Sequence, residues 1–216
     1  MIQFENVTLK RKDVLVLRDI SMQIQDGEFA YLVGNSGSGK SSIHQLIYGN
    51  FLGYEGTIKI NGQDIQLLDF ENLQYTRQKI GIIFQDYKLI ADKTVFENIS
   101  YRLGFSENKK DVKKIVHYWA KRLKIAQYLA EYPSNISGGE QQRVAIARAI
   151  VDKPSIILAD EPTANLDPQN AVNVMAILTE LNHKGTTIIM TTHNTGIKCK
   201  YQYRTIFLAD GKIVND

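Results

Sequence analysis

The chain has 216 residues, of which 44% are hydrophobic and 23% are charged. This composition excludes a mainly disordered protein and provides enough apolar residues for one domain with a sizeable core. The formal net charge of +3 is too small to indicate nucleic-acid binding by itself. The single cysteine, Cys199, excludes a disulfide framework and a cysteine-rich zinc site, and it fits a reducing compartment such as the cytosol. We expect no membrane span and no signal peptide, because no apolar run reaches the roughly 18 to 20 residues that a span needs.

Alternating polar and apolar residues in the first third of the chain predict β-strands that begin as an antiparallel sheet. The dipeptides Asp26-Gly27 and Asn61-Gly62 favour tight turns, so we expect paired strands on either side of each of them. The apolar run at residues 29–33 predicts a buried strand, which is followed by a glycine-rich loop and a helix over residues 41–49.

The rest of the chain is predicted to be helical at first and then to alternate strands and helices. Residues 88–150 have the helical spacing of apolar residues and are interpreted as a helical insertion. Buried strands are predicted at residues 155–160 and 186–192, and the helix between them begins at Asp167-Pro168 and is closed by Gly185. The pattern indicates a single α/β domain over residues 1–216 with a largely parallel sheet.

A phosphate-binding loop is predicted between the first buried strand and its helix. Residues 34–41, GNSGSGKS, match the pattern of a glycine, four residues and Gly-Lys-Ser. The glycines permit a tight backbone whose N–H groups surround phosphate oxygens, while Lys40 reaches the β and γ phosphates and Ser41 offers a hydroxyl to Mg²⁺. A flexible glycine turn is the alternative interpretation. The residues expected to hold nucleotide here are Gly34, Asn35, Ser36, Gly37, Ser38, Gly39, Lys40, Ser41 and Ser42.

Two adjacent carboxylates, Asp160 and Glu161, follow a buried strand at the sheet edge where open α/β folds bind ligands. Asp160 is suited to hold magnesium through water, and Glu161 is suited to polarise the attacking water. Such a pair also occurs in solvated turns and helix caps, but the phosphate-binding loop upstream favours the functional interpretation. His193 follows the next buried strand, where we expect it to contact the γ-phosphate or the attacking water. The remaining histidines are expected to be structural or solvated: His44, His117 and His183.

A second candidate anion site lies at residues 137–143, SGGEQQR, just before an alanine-rich helix. Glycines and a hydroxyl at a helix N-terminus suit a phosphate. A capped helix with a glycine-loosened entry is the alternative.

In this order, the motifs resemble those of the ATP-binding cassette (ABC) ATPases, whose signature LSGGQ is similar to residues 136–140. The resemblance covers nearly the whole chain and implies a P-loop ATPase core with an antiparallel β subdomain and an inserted helical subdomain. It makes residues 34–42 the Walker A loop, Asp160 and Glu161 the Walker B pair, Gln85 the Q-loop glutamine and His193 the switch histidine. The residues that it assigns to the signature and the D-loop are Ser137, Gly138, Gly139, Glu140 and Asp167.

The same resemblance implies an ATPase with ATP and Mg²⁺ as its cofactors. Two copies bind head to tail, so that ATP lies between the Walker A loop of one copy and the signature of the other. Hydrolysis needs Glu161 as the base and His193 to position it, and Gln85 connects magnesium to the helical subdomain. A non-enzymatic regulator is the alternative, but the intact set of catalytic residues argues against it.

One feature of the family is replaced in this sequence. The adenine is normally stacked by an aromatic residue in the N-terminal region, where this chain has Leu9, Lys10, Arg11 and Lys12. Arg11 is the candidate for stacking, through the plane of its guanidinium group. We therefore expect weaker discrimination of ATP over GTP than is usual in the family.

Within the family, the chain resembles the branch of short single-cassette ATPases that act in cell division, lipoprotein release and efflux. Residues 84–99, with Asp86 and Asp92 in FQDYKLIADKTVFENI, are most similar to the cell-division group. That resemblance implies an integral membrane partner and a peripheral position at the cytoplasmic face of the inner membrane. Lipoprotein release and efflux are the alternatives. A soluble cassette that acts on DNA or ribosomes is a lesser alternative, since the sequence lacks the long insertions, cysteines or second cassette of such proteins.

Basic residues are concentrated in the middle of the chain, where few acidic residues accompany them. This concentration indicates either a solvated helical face or contact with anionic lipid beside a membrane partner. The residues are Lys109, Lys110, Lys113, Lys114, Lys121, Arg122 and Lys124.

Overall fold

The structure, a computed structural model, describes the backbone of residues 1–103 and 109–216 and the side chains of residues 1–103 and 111–216. The strands are β1 (Ile2–Arg11), β2 (Val14–Ile24), β3 (Phe29–Val33), β4 (Glu55–Ile60), β5 (Gln63–Asp64), β6 (Ile80–Ile83), β7 (Ile156–Asp160), β8 (Thr187–Thr191), β9 (Arg204–Ala209) and β10 (Lys212–Asn215). The α-helices are α1 (Lys40–Ile47), α2 (Phe70–Gln78), α3 (Val95–Ser100), α4 (Lys109–Arg122), α5 (Gly138–Ile150), α6 (Pro168–His183) and α7 (Thr195–Lys200). Short 3₁₀ helices lie at Tyr101–Leu103, Ala126–Tyr128 and Pro133–Asn135.

The larger sheet has the strand order β10-β9-β3-β8-β7-β6, and every neighbouring pair except β10 and β9 is parallel. The largely parallel sheet predicted from the sequence is therefore confirmed. All residues of β3 and β8 are buried, as expected for strands that are covered on both faces. Because β3, β7 and β8 run in the same direction, their carboxyl ends meet at one edge of the sheet, and the candidate site forms there.

The smaller sheet is antiparallel and has the order β2-β1-β4-β5. The hairpin predicted at Asn61-Gly62 is confirmed, since β4 pairs with β5 and both turn residues have positive φ, 51° and 80°. The pairing predicted around Asp26-Gly27 is wrong, because β2 pairs with β1 and β3 belongs to the larger sheet. The β1–β2 hairpin turns instead at Lys12 and Asp13, with φ values of 44° and 65°. The dipeptide Lys12-Asp13 is not one of those that favour such turns, Asn-Gly or Asp-Gly, so this turn has no clear signal in the sequence.

Strand β3 divides the hydrophobic core into two clusters. Phe29, Tyr31 and Val33 face one cluster, and the alternate residues Ala30 and Leu32 face the other, as the two-residue period of a strand dictates. The first cluster contains the apolar faces of α5 and α6 and the buried side of α4. The second contains the apolar face of α1 and the interior of the smaller sheet. The same strand thus anchors both subdomains beneath the loop that follows it.

The elements that the structure describes between β6 and β7 are helices. The basic run predicted to form a helical face lies largely on α4, although the side chains of Lys109 and Lys110 lie outside the described part. Arg122, in that run, donates to Glu180 of α6 at 2.5 Å. In the described ranges, no helix is both long and apolar enough to cross a membrane.

Candidate functional site

A polar cavity of about 300 Å³ opens at the carboxyl edge of the larger sheet. It brings together residues that are far apart in sequence and were singled out there for phosphate, magnesium and water. Those in its wall are Ser36, Gly37, Gly39, Lys40, Ser41, Ser42, Gln85, Asp160, Glu161 and His193. Val16, at the start of β2, also lines the cavity and was not anticipated.

The phosphate-binding loop leaves β3 and wraps around the amine of Lys40. The Lys40 Nζ donates to the carbonyl oxygens of Gly34 and Asn35, at 2.7 and 2.8 Å. Burial lowers the pKa of Lys40, and the nearby carboxylates of Glu161 and Asp160 oppose that shift. The amine is therefore held in the loop, next to the backbone N–H groups that precede α1.

Gly34 is required by close packing of the loop against β9. A Cβ at position 34 would lie 2.1 Å from the carbonyl oxygen of Leu208, which is backbone and cannot move aside. The loop also needs glycine at position 39, where φ is 107° immediately before α1. The glycines of the sequence pattern thus answer steric demands of this fold.

Asp160 is held by two hydroxyl groups at the end of β7. Ser41 Oγ donates to one carboxylate oxygen at 2.9 Å, and Thr191 Oγ1 donates to the other at 2.6 Å. Thr191, the last residue of β8, was missed by the sequence reasoning. The only sign of its role is its position at the end of β8, because β8 lies beside β7 and Thr191 is level with Asp160.

Glu161 turns out of β7 in the left-handed region, with φ of 47°, which is uncommon for a residue other than glycine. Its backbone N–H donates to Thr191 Oγ1 at 3.0 Å, which stabilises this turn. The side chain is 12% exposed, and its Oε1 lies 3.4 Å from Nε2 of His193. In the described part of the chain, Oε1 accepts no hydrogen bond. The carboxylate is thus nearly buried beside a histidine, and one of its oxygens is a buried acceptor without a hydrogen-bond partner among the described residues.

The signature segment lies at the N-terminus of α5 and is not part of the cavity wall. Ser137 and Glu140 form a capping box, in which the Ser137 N–H and Oγ both donate to Glu140 at 2.8 and 2.7 Å. Hydrogen bonds from Tyr128 and then from Ser137 lower the pKa of Glu140. A Cβ on Gly139 would lie 3.0 Å from the carbonyl oxygen of Asn165, so the signature lies against the segment before α6.

Asp167 forms the N-cap of α6 and accepts from the Asn170 N–H at 2.9 Å. Hydrogen bonds from the backbone and from the side chain of Asn170 lower the pKa of Asp167. Asp167 lies outside the cavity wall, two residues after Asn165, which contacts the signature segment at Gly139.

The segment after Gln85 is attached to α5 by Arg148. The guanidinium group donates to the carbonyl oxygens of Tyr87 and Lys88, both at 2.7 Å. Tyr87 and Lys88 both have positive φ, 62° and 47°, so their carbonyls turn toward the helix. The Tyr87 hydroxyl lies 3.1 Å from where a Cβ on Gly138 would stand. This segment therefore contacts α5 both at its N-terminus and near its end.

Arg11 lies outside the cavity wall, with its guanidinium group 4.1 Å from the centre of the Phe51 ring. Phe51 follows α1 and is partly buried. The stacking of Arg11 on adenine stays a prediction.

His44 lies on α1, behind the phosphate-binding loop, and is only 5% exposed. Burial lowers its pKa to about 4, against an opposing effect of the Asp160 charge. Its Nε2 has no hydrogen-bond partner in the described part of the protein. The sequence left open whether His44 is structural or solvated, and the structure shows that its side chain is buried.

Comparisons with known proteins agree with this arrangement. Residues 17–164 match the family model described as ABC transporter. The chain is 42% identical over 204 residues to the cell division ATP-binding protein FtsE of Bacillus subtilis, which covers 94% of this chain and 90% of the relative. It is 37% identical over 218 residues to the FtsE of Escherichia coli, covering 99% of this chain and 97% of the relative.

Solved structures give the same result for the fold. A dimeric post-hydrolysis structure of an ATP-binding cassette bound to ADP and phosphate superposes with a TM-score of 0.92 at 33% identity, over 100% of this chain and 97% of that chain. A dimeric structure of a bacterial ABC transporter cassette gives a TM-score of 0.93 at 34% identity, with the same coverage. The P-loop cassette fold predicted from the motifs is confirmed. The chain belongs to the ABC transporter family of ATP-hydrolysing cassettes, and within that family it groups with the cell-division proteins FtsE.

Proposed function

We propose that this chain is the ATP-hydrolysing subunit of an FtsE-like complex, in which ATP-driven closure of two copies acts on an FtsX-like membrane protein to regulate cell-wall hydrolysis in cell division. The observation that carries the proposal is an identity of 36 to 42% over nearly the whole chain to proteins named FtsE in several bacteria. The convergence of phosphate-binding and acidic residues in one cavity supports the catalytic part.

The residues of the cavity have distinct roles in this proposal. Lys40 and the N–H groups before α1 hold the β and γ phosphates, with the loop shaped in advance by the glycines. Glu161 takes a proton from the attacking water, and its position in the cavity wall, with an unsatisfied acceptor oxygen beside His193, supports that role. His193 orients the water and the γ-phosphate, because its side chain is 62% exposed toward the open cavity.

Magnesium fits the donors of this site. Ser41 and Gln85 offer neutral oxygens, and Asp160 offers a carboxylate, all of which a hard cation prefers. In the described residues, no group of three or more His, Cys, Asp or Glu side chains is arranged to hold a metal ion without other ligands. That agrees with Mg²⁺, which is usually held by one or two protein oxygens, waters and phosphates. When bound, it would neutralise negative charge on the phosphate oxygens.

A second copy of the chain completes the nucleotide site in this proposal. Ser137, Gly138, Gly139 and Glu140 lie outside the cavity of their own chain, at a helix N-terminus that suits phosphate. Asp167 lies on the same side. Both structural neighbours are dimeric, which supports pairing of two cassettes. Arg11 contributes the adenine contact, with one face of its guanidinium group on Phe51.

The complex is proposed to sit at the cytoplasmic face of the plasma membrane, with this chain as the peripheral subunit. The test uses the Glu161→Gln variant, which should bind ATP and remain in the closed dimer. The variant is cross-linked in native membranes with ATP, purified, and its partners are identified by mass spectrometry. The Lys40→Ala variant is the control, because it loses the phosphate contact and should not hold the closed dimer.

Recovery of an FtsX-like protein with Glu161→Gln, and much less with Lys40→Ala, supports the proposal. Recovery of a lipoprotein-releasing or MacB-like efflux permease instead would keep the ATPase chemistry and replace the proposed biology. Recovery of ribosomal or DNA-bound proteins without a membrane protein would overturn the membrane complex itself.

A further inference from the structure

A groove of about 720 Å³ lies at the amino edge of the larger sheet, opposite the nucleotide cavity. One wall is α4, and the other is formed by the turns that lead into β7 and β8. Ser155 and Thr186 lie in these turns, each one residue before its strand, whereas Asp160 and Thr191 end the same strands. The groove is therefore separated from the nucleotide cavity by the length of β7 and β8.

The interior of the groove is apolar. Ile115 and Trp119 contribute from α4, and Leu181 contributes from the end of α6. Trp119 and Leu181 are almost fully buried, whereas Tyr118 beside them is 52% exposed. A cavity of this size, with an apolar interior and a few polar groups at its mouth, has the properties of a binding site.

The rim of the groove is basic. Lys114, Lys153 and Lys184 line it, and in the described part of the chain no carboxylate does so. The acidic residue beside it, Glu180, is already paired with both Arg122 and Lys184, at 2.5 and 2.6 Å. Within the described residues, Lys114 and Lys153 form no ion pair, so these two amines present positive charge to an incoming group.

The charge and shape of the groove define its occupant. Its positive rim calls for carboxylates or phosphates, and its apolar interior calls for a bulky apolar side chain next to them. A recess between a helix and two turns receives a protruding side chain, whereas a bilayer presents a broad surface. These features favour a protein segment over a membrane.

We propose that this groove binds an acidic segment of a partner protein, which inserts an apolar side chain between Ile115 and Leu181 and places carboxylates on Lys114 and Lys153. The site lies at the sheet edge away from the nucleotide, so the segment binds whether or not ATP is present. The binding does not depend on the identity of the membrane partner proposed above.

The chain provides its own probe, because Trp119 in the groove is its only tryptophan. The full-length protein is titrated with a pool of synthetic peptides in which Asp and Glu flank one variable apolar residue, and the emission of Trp119 is recorded. A matched pool carries Lys in place of every acidic residue. Vesicles of phosphatidylglycerol are titrated in parallel.

The acidic pool should produce a saturable change in Trp119 emission, and the basic pool should not. The double variant Lys114→Glu/Lys153→Glu should weaken the binding of the acidic pool at least tenfold. Lys212→Glu, which changes an exposed lysine on β10, is the control and should bind as the wild type does. ATP binding, which uses the opposite edge of the sheet, should be unchanged in both variants and shows that they are folded.

Three kinds of result would overturn the proposal. The first is no saturable change with the acidic pool. The second is equal binding of the two pools, or equal binding by the wild type and the double variant. The third is a saturable change with the vesicles and none with the peptides, which would assign the surface to anionic lipid.

Discussion

His44 should make the fold sensitive to mild acid. Its imidazole is buried in α1 and its pKa is lowered to about 4, from an ordinary value of 6.5, mainly by burial. Between these two pH values, the unfolded chain binds a proton at this residue and the folded chain does not. The free energy of unfolding is therefore at its full value above about pH 6.5, and it decreases as the pH falls toward 4.

The size of this effect follows from the difference in pKa. One pKa unit corresponds to about 1.4 kcal/mol, so the free energy of unfolding should fall by about 1.4 kcal/mol between neutral pH and about pH 5.5. Near pH 4 the loss reaches about 3 kcal/mol. That is a large share of the roughly 5 to 15 kcal/mol that stabilises a typical domain.

The assay is urea unfolding of the wild type and the His44→Leu variant, followed by circular dichroism at about pH 7.5 and about pH 5.5. The wild type should lose about 1.4 kcal/mol more than the variant between the two conditions. At the higher pH the variant should be more stable by about 1 kcal/mol, because leucine removes a buried nitrogen that has no hydrogen-bond partner in the described residues. His183→Gln, which changes an exposed residue, should follow the wild type. Equal losses in the wild type and His44→Leu would refute the reasoning.

Further predictions concern the catalytic cavity. Glu161→Gln should lower ATP hydrolysis by about 10² to 10⁴-fold while nucleotide binding is retained, and a wild-type rate would assign the base elsewhere. Thr191→Val removes the hydrogen bond that Thr191 donates to Asp160 and the one that it accepts from the Glu161 N–H. ATP hydrolysis should therefore fall by about tenfold, and the free energy of unfolding by about 1 to 2 kcal/mol. Thr191→Ser should restore both, and a fully active valine variant would contradict the role. For the nucleobase, ATP and GTP affinities of the wild type should be similar, and Arg11→Ala should weaken both by about 1 kcal/mol in isothermal titration. A strong preference for ATP that Arg11→Ala leaves intact would exclude stacking by this residue.

The fold, and most of the residues that the structure brings together in the cavity wall, could be predicted because their signals are local or ordered along the chain. The strand at residues 29–33 and the helix after the phosphate-binding loop appear where the sequence placed them. Asp167-Pro168 begins α6 as expected, since its carboxylate caps the helix and proline suits the first turn. These predictions depend on periodicity and capping, which need no knowledge of distant contacts.

The rest could not be read from the sequence, because it depends on how distant segments meet. The turn at Asp26-Gly27 has the residues of a hairpin, but β3 pairs with β8 and β9 in the other sheet. Thr191 becomes important only because β8 lies beside β7, which brings its hydroxyl to Asp160. His44 is a polar residue whose burial depends on the packing around α1, which the sequence does not show.

Arg148 has a mechanical consequence for the cassette. Separating the carbonyl oxygens of Tyr87 and Lys88 from its guanidinium group would cost roughly 1.5 to 3 kcal/mol for each of the two charge-assisted hydrogen bonds. We therefore expect the segment after Gln85 and helix α5 to move together. Tyr87 is thereby joined to both ends of the helix, because its carbonyl oxygen accepts from Arg148 near one end and its hydroxyl lies beside Gly138 at the other.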